Sequence, residues 1–259
     1  MENLWHIDLT LLQWVLLALG GVVSGIINTL AGSGSLITLP ILVFLCGLPA
    51  PIANGTNRIG VLLQNVVAIR ALSHVGIADF QGSAWLVVPA TIGGIVGSRI
   101  AVSITETWMN YTLGGLMAFM LIVLLLRPER WLRDSKPAIE HHQHPLTVSA
   151  FFFIGVYGGF IQAGVGIFLL AGLVWLTRYS LSGGNGVKLL IVLMLTIPST
   201  VVFFFYNQVH LGYGLLMALF QGVGAWIGVR FIAHVPNANL WIYRLLLAIT
   251  AVSALKFFL

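Results

Sequence analysis

Long uncharged apolar runs recur from one end of this chain to the other and leave it few choices of fold. They cover residues 11–27, 60–72, 84–97, 111–126, 147–176, 189–205, 211–229 and 240–255, some of them short or interrupted. A run of about 18 or more apolar residues is what a hydrocarbon layer roughly 30 Å thick demands. Only 7% of the 259 residues are charged, whereas a soluble domain carries about a quarter. A large soluble core cannot account for that deficit, so the expectation is an all-α polytopic membrane protein. Trp5, Trp14, Trp85, Trp108, Trp131 and Trp241 fall near run ends, where indole rings anchor at the membrane–water interface. Met1–Asp8 lacks the basic region and small-residue cleavage site of a signal peptide. The lone cysteine, Cys46, excludes an internal disulfide.

The charges that remain are unbalanced. Twelve Lys and Arg stand against seven Asp and Glu, and from residue 145 to the end there is no carboxylate side chain at all. Arg178, Lys188, Arg230, Arg244 and Lys256 lie in that stretch, while Arg58, Arg70 and Arg99 share the first half with Asp79 and Glu106. A charge within a bilayer costs several kcal/mol unless something partners it. With few protein anions available, the partners are lipid head groups, interfacial water or an anionic substrate. Cations near helix ends ordinarily snorkel and set topology.

The only strongly polar segment, RPERWLRDSKPAIEHHQHP from Arg127, divides the chain. Its basic residues mark it as a cytoplasmic linker (127–146) between a first transmembrane repeat (1–126) and a second (147–259). His141, His142 and His144 read there as solvated rather than metal-binding, because no register or acidic partner organises them. The halves match at an offset of 130–132 residues. Ala31–Gly32–Ser33–Gly34 aligns with Ala163–Gly164–Val165–Gly166, Thr56–Asn57–Arg58 with Gly186–Val187–Lys188, and Gly97–Ser98–Arg99 with Gly228–Val229–Arg230. Several matches at one offset indicate two homologous repeats, the usual construction of secondary transporters. In each copy a Gly-rich break interrupts the first apolar segment, and irregular backbone survives at membrane depth only inside protein or along a cavity. Each unit therefore reads as a Gly-rich broken helix or helical hairpin followed by about three spans. If the hairpins return to their own side, each unit crosses an odd number of times and the repeats are inverted.

At these residues the chain resembles the TauE/SafE family of sulfite exporters. The resemblance rests on AGSGSLITLPIL (Ala31–Leu42), GLPAPIANGTNRIG (Gly47–Gly60) and the weaker copy QAGVGIFLL (Gln162–Leu170), and the two-repeat layout covers nearly the whole chain. It implies export of a small sulfur-containing anion, sulfite or an organosulfonate, across the bacterial inner membrane. The second copy departs from the first at Val165 and Ile167, which replace Ser33 and Ser35.

Physical chemistry points to the same region. Half-helix N-termini present unsatisfied N–H groups and a positive partial charge to an anion. The candidate substrate-binding residues are Asn28, Gly32, Ser33, Gly34 and Ser35 at the first break, and Gln162, Gly164 and Gly166 at the second. Thr56, Asn57, Arg58, Gln64, Asn65, Asn185 and Lys188 complete the set. Thr56 and Asn57 are expected to cap a helix beginning near Arg58. Asn57 with Gln64, and Arg58 with Asn65, are seven apart and share a helical face, a polar stripe that should look inward. Arg58 and Lys188, one from each half, would attract the anion, and binding would weaken with salt if they are partly wet. Tight packing is the competing role for the glycines, interhelical bonding for the amides, and snorkelling for the two cations.

No nucleotide-binding motif is present, so ATP drive from this chain is not expected. Asp79, Glu106, His74, His210 and His234 are the conceivable proton carriers. The reading is an alternating-access exporter that is not an enzyme. It needs no cofactor, metal or nucleic acid; its partners are a small anion and membrane lipid, with homo-oligomerisation open. A passive anion channel is the alternative. An intramembrane enzyme is weaker still, since Ala31 replaces the first glycine of a G-x-S-G serine motif and no helix-borne histidine stands out as its base.

Overall fold

The computed structural model describes residues 5–74, 83–126, 144–179, 181–231 and 238–258, and among these every regular element is helical. In chain order they are α1 (Leu11–Ala31), α2 (Ser35–Pro40) continuing into a π-helical turn (Ile41–Leu45), α3 (Ala50–His74), α4 (Ala84–Val102) and α5 (Glu106–Leu125). They continue with α6 (Pro145–Phe160), α7 (Val165–Trp175), α8 (Leu181–Phe205), α9 (Leu211–Phe231) and α10 (Ala238–Phe258). Among the described residues, five stretches are long and apolar enough to cross a membrane: Leu11–Ala31, Ala84–Val102, Glu106–Leu125, Gly183–Phe205 and Leu211–Arg230. Most of the linker, with Trp131, His141 and His142, lies outside the described residues, as do Asp79 and His234.

Local chemistry sets several boundaries. Thr10 and Gln13 form a reciprocal capping box at the start of α1: Gln13 N–H donates to Thr10 Oγ1, and Thr10 N–H donates to Gln13 Oε1 at 2.9 Å. His144 caps α6 by accepting Leu146 N–H at Nδ1, and Pro145 fills the first turn, where a missing N–H costs nothing. Pro40 has no N–H to give the helix. Directly after it the helix widens, Cys46 N–H reaching the Ile41 carbonyl.

Both breaks make antiparallel hairpins. Gly34 lies against Ser24 and Asn28, Ile41 against Gly20, and Gln13 Nε2 donates to the Leu45 carbonyl at 3.1 Å, so α2 runs back along α1. In the second hairpin Val165 lies against Gly158, and Gly172 against Phe151 and Ile154. The hairpin legs then pack on helices distant in sequence, α1 along α9 and α6 along α4, while α3 packs on both α9 and α8 and α5 pairs with α10.

Glycines allow these contacts. Gly93 and Gly97 face the main chain of α6, Gly155 and Gly159 face that of α4, and Gly25 and Gly224 approach each other's helices in the same way between α1 and α9. Membrane helices gain little from the hydrophobic effect between them, so close backbone approach supplies much of their attraction. Large apolar side chains such as Leu11, Leu12, Phe153 and Phe205 remain exposed on the outside, as a lipid solvent requires. Arg99 and Arg230 sit with exposed aromatics rather than in the interior. Arg99 donates to Tyr206 Oη at 2.7 Å, and the Arg230 guanidinium lies 4.1 Å from the Trp226 ring centre.

Candidate functional site

The two hairpin tips meet through main chain. Gly32 ends α1 in the left-handed region (φ 73°), and Gly164, the residue matched to it in sequence, precedes α7 at the same φ. Gly166 N–H donates to the Gly32 carbonyl at 3.1 Å. A Cβ on either Gly32 or Gly166 would strike the other's backbone, so close approach requires glycine at both, and conformation requires it at Gly32 as well.

Each tip is held by a cation from the opposite part of the chain. Arg58, on α3, donates to the carbonyls of Gly159 at 2.5 Å, Gly158 at 3.4 Å and Phe160 at 3.5 Å, the last residues of α6. Its guanidinium lies 4.4 Å from the Phe203 ring centre, and its Nε has no partner. Lys188, on α8, donates to the carbonyls of Asn28 and Thr29 near the end of α1, both at 3.3 Å, and to Asn185 Oδ1 at 2.6 Å. Arg58 is 0% exposed and Lys188 1%. Both cations are therefore interior residues and do not snorkel. No carboxylate among the described residues pairs with either. A helix C-terminus carries roughly half a negative charge, so it offsets only part of each cation and leaves the tips electropositive.

The amides of α3 have distinct tasks. Asn57 Nδ2 donates to Ser35 Oγ at 3.0 Å and its Oδ1 accepts from Thr38 Oγ1 at 2.5 Å, pinning the start of α2. Asn54 Nδ2 donates to the Phe160 carbonyl at 2.8 Å, beside Arg58. Asn28 Oδ1 accepts Gly34 N–H at 3.3 Å, and Ser24 Oγ donates to the Gly34 carbonyl. At the second tip, Gln162 Nε2 donates to Thr196 Oγ1 of α8. Ser33 Oγ and Gln162 Oε1 are buried with no partner among the described residues. Gln64 and Asn65 lie farther along α3, fully buried, and do not join the tip network.

One expectation is corrected. Thr56 and Asn57 do not cap a helix beginning near Arg58, because α3 begins at Ala50. Pro49 and Pro51 favour a helix start there, and the Pro49 carbonyl accepts Ala53 N–H at 2.8 Å. The Thr56–Arg58 amides thus lie inside the helix, and Thr56 Oγ1 instead accepts His210 N–H at 2.8 Å, just before α9. The sequence reading also left out Ser24, Thr38 and Asn54, which join the tip network. Asn54 was findable, since it precedes Arg58 by one helical turn and shares its face.

A family model described as "Sulfite exporter TauE/SafE" matches residues 17–257, which takes in both hairpins and both buried cations. The chain belongs to the TauE/SafE family. It is a membrane transporter of that family, and its relatives carry matching names. A "Probable membrane transporter protein" of Xylella fastidiosa (strain Temecula1) is 30% identical over 179 residues, 67% of each chain. The "Probable membrane transporter protein ORF9" of a Sinorhizobium species is 24% identical over 224 residues, 86% of this chain and 85% of its own. A "Probable membrane transporter protein" of Haemophilus influenzae is 24% identical over 216 residues, 82% of each. No solved structure matches this TauE/SafE chain.

Proposed function

We propose that this transporter is a secondary carrier in the bacterial inner membrane, exporting sulfite or a small organosulfonate by alternating access. The observation that carries the reading is the pair of buried cations, Arg58 and Lys188, each seated on the other hairpin's carbonyl end without a carboxylate partner among the described residues. An uncompensated positive interior is expensive, and an anion bound at the tips would neutralise it. Ser33 Oγ and Gln162 Oε1 add unpartnered polar atoms at the same place. Asn28, Ser35, Asn57 and Asn185 hold the tips and cations in position and act on the anion through them.

The reading extends to architecture. Exchanging α1–α5 with α6–α10 maps α1 against α9 onto α6 against α4, and Arg58 on α6 onto Lys188 on α1. Two hairpins that turn back, each followed by three long helices, support inverted repeats built around the tips. Ser33, Asn57, Arg58, Gln162 and Lys188 are all at most 2% exposed. That burial fits an occluded carrier better than an open channel.

The test is flux of sulfite and a small sulfonate into proteoliposomes for wild type, Arg58→Gln and Lys188→Gln. A carrier gives saturable flux, accelerated by the same anion on the far side and lost in either folded variant. Unsaturable flux would point to a channel. Flux surviving both substitutions would move the site away from the tips.

A further inference from the structure

A second polar layer lies beside the tips, where α1, α3 and α9 meet. Gln221 of α9 is fully buried, and among the described residues neither end of its amide has a hydrogen-bond partner. The amide lies over Gly60 of α3, where a Cβ would stand 2.5 Å from Nε2 and 3.2 Å from Oε1. Gln64 stands one turn farther along the same face of α3, again fully buried and unpartnered at both ends. A turn beyond it, Ala68 packs with Ala225, which brackets Gln64 alongside the Gln221–Ala225 turn of α9. Asn65 donates Nδ2 to the Val61 carbonyl at 2.7 Å and leaves Oδ1 unpartnered. On the third side, the Gln221 carbonyl faces Gly25 of α1, one turn before the carbonyls that hold Lys188.

Interhelical glue would bond these amides to each other or to main chain, and neither glutamine is so bonded. Gln64, Asn65 and Gln221 together leave two amide NH2 groups and three amide oxygens without partners among the described residues. Leaving each such group unpaired costs about 1–3 kcal/mol. The donors suit the oxygens of an anion. The unpartnered oxygens call for donors, which a fully deprotonated oxyanion lacks.

We propose that Gln64, Asn65 and Gln221 form a subsite on the Lys188 side of the tips that selects a small oxyanion bearing its own O–H or N–H group. This rests on the anion-carrier reading. Lys188 supplies the charge, and the neutral amides recognise the donor while holding the anion weakly enough to let it move on.

The decisive comparison is 2-hydroxyethanesulfonate against ethanesulfonate, equal in charge and differing by one hydroxyl. Their KM values are measured in proteoliposomes alongside sulfite flux, for wild type, Gln64→Met and Gln221→Met. The expected result is a wild-type KM about fivefold lower for the hydroxylated anion, the value of one hydrogen bond. The Met variants lose that preference while their melting temperature holds or rises. No preference in wild type, or a preference intact in both variants, overturns the subsite. So does a marked fall in melting temperature in the Met variants, because the amides would then be bonded within the protein. Sulfite flux with neither sulfonate accepted overturns the subsite and leaves the carrier reading standing. Absence of flux for all three anions brings down the carrier reading, and the subsite with it.

Discussion

Arg58 and Lys188 never touch one another's helix ends; each instead closes the end of the helix that opens the other hairpin, Arg58 on the Gly158–Phe160 carbonyls and Lys188 on those of Asn28 and Thr29. The hairpins meanwhile touch through Gly32 and Gly166. Charge and backbone geometry are therefore coupled at one place, and each can be tested alone.

Two left-handed glycines separate backbone strain from close approach. Gly47 has φ 68° and a Cβ added there would meet nothing within 4 Å, whereas Gly32 has φ 73° and faces Gly166. Gly47→Ala should cost only the left-handed penalty of about 1–2 kcal/mol. Gly32→Ala should cost clearly more and abolish flux. Equal losses in thermal melts of the two purified variants would refute the close contact.

Glycines on α5 and α6 provide a second contrast. A Cβ at Gly159 would meet the Gly94 carbonyl of α4, while at Gly115 it would meet nothing. Gly159→Ala should separate α4 from α6 and lower the yield of folded protein. Gly115→Ala should be neutral or stabilise by about 0.5–1 kcal/mol, the usual gain in a helix interior. Size-exclusion profiles and melting curves in detergent report both.

Thr56 serves the start of α9 through its hydroxyl and His210 N–H. Thr56→Val should therefore lower stability by about 1 kcal/mol, the typical value of such a side-chain cap, and Thr56→Ser should retain most of it. A Thr56→Ser variant as unstable as Thr56→Val would show that the methyl group matters instead.

Salt dependence should be slight, contrary to what partly wet cations would give. Arg58 and Lys188 are sealed from solvent, and mobile ions screen buried charges poorly. Raising an inert salt from about 0.1 to 1 M, which shortens the Debye length from ~10 to ~3 Å, should leave the KM for sulfite within about twofold. A steep rise in KM would place the cations in water during binding.

Much of this was legible in sequence because the strongest signals were the most costly to violate. Recurring apolar runs point to the helical membrane class, and Gly32 and Gly164 mark the breaks because few other residues tolerate their backbone. The offset that aligns Arg58 with Lys188 draws attention to two residues that are buried against the ends of α6 and α1. The start of α3 is misleading in sequence because Asn54, Gly55, Thr56 and Asn57 resemble a capping segment. They form a helix since packing overrides that preference: Gly55 lies against the Gln208 carbonyl, and Asn54 and Asn57 bond to other elements. The glycine pairs at 93/97, 155/159, 21/25 and 224/228 are visible at spacing four, but their partners depend on tertiary contact. Gln221 stands as a lone amide in an apolar run, and only the approach of Gly60 gives it a place.

The bond from Lys188 to the end of α1 spans 159 residues of chain. A ribosome must deliver α1 and α2 to the bilayer well before α8 exists, so the first hairpin waits with its terminal carbonyls uncovered. Lys188, which bonds to those carbonyls, joins them only once the second half of the chain has been made. A chain halted after Leu125 should leave that hairpin open to protease, and extension through α8 should close it. Assembly here is a matter of timing as much as of affinity.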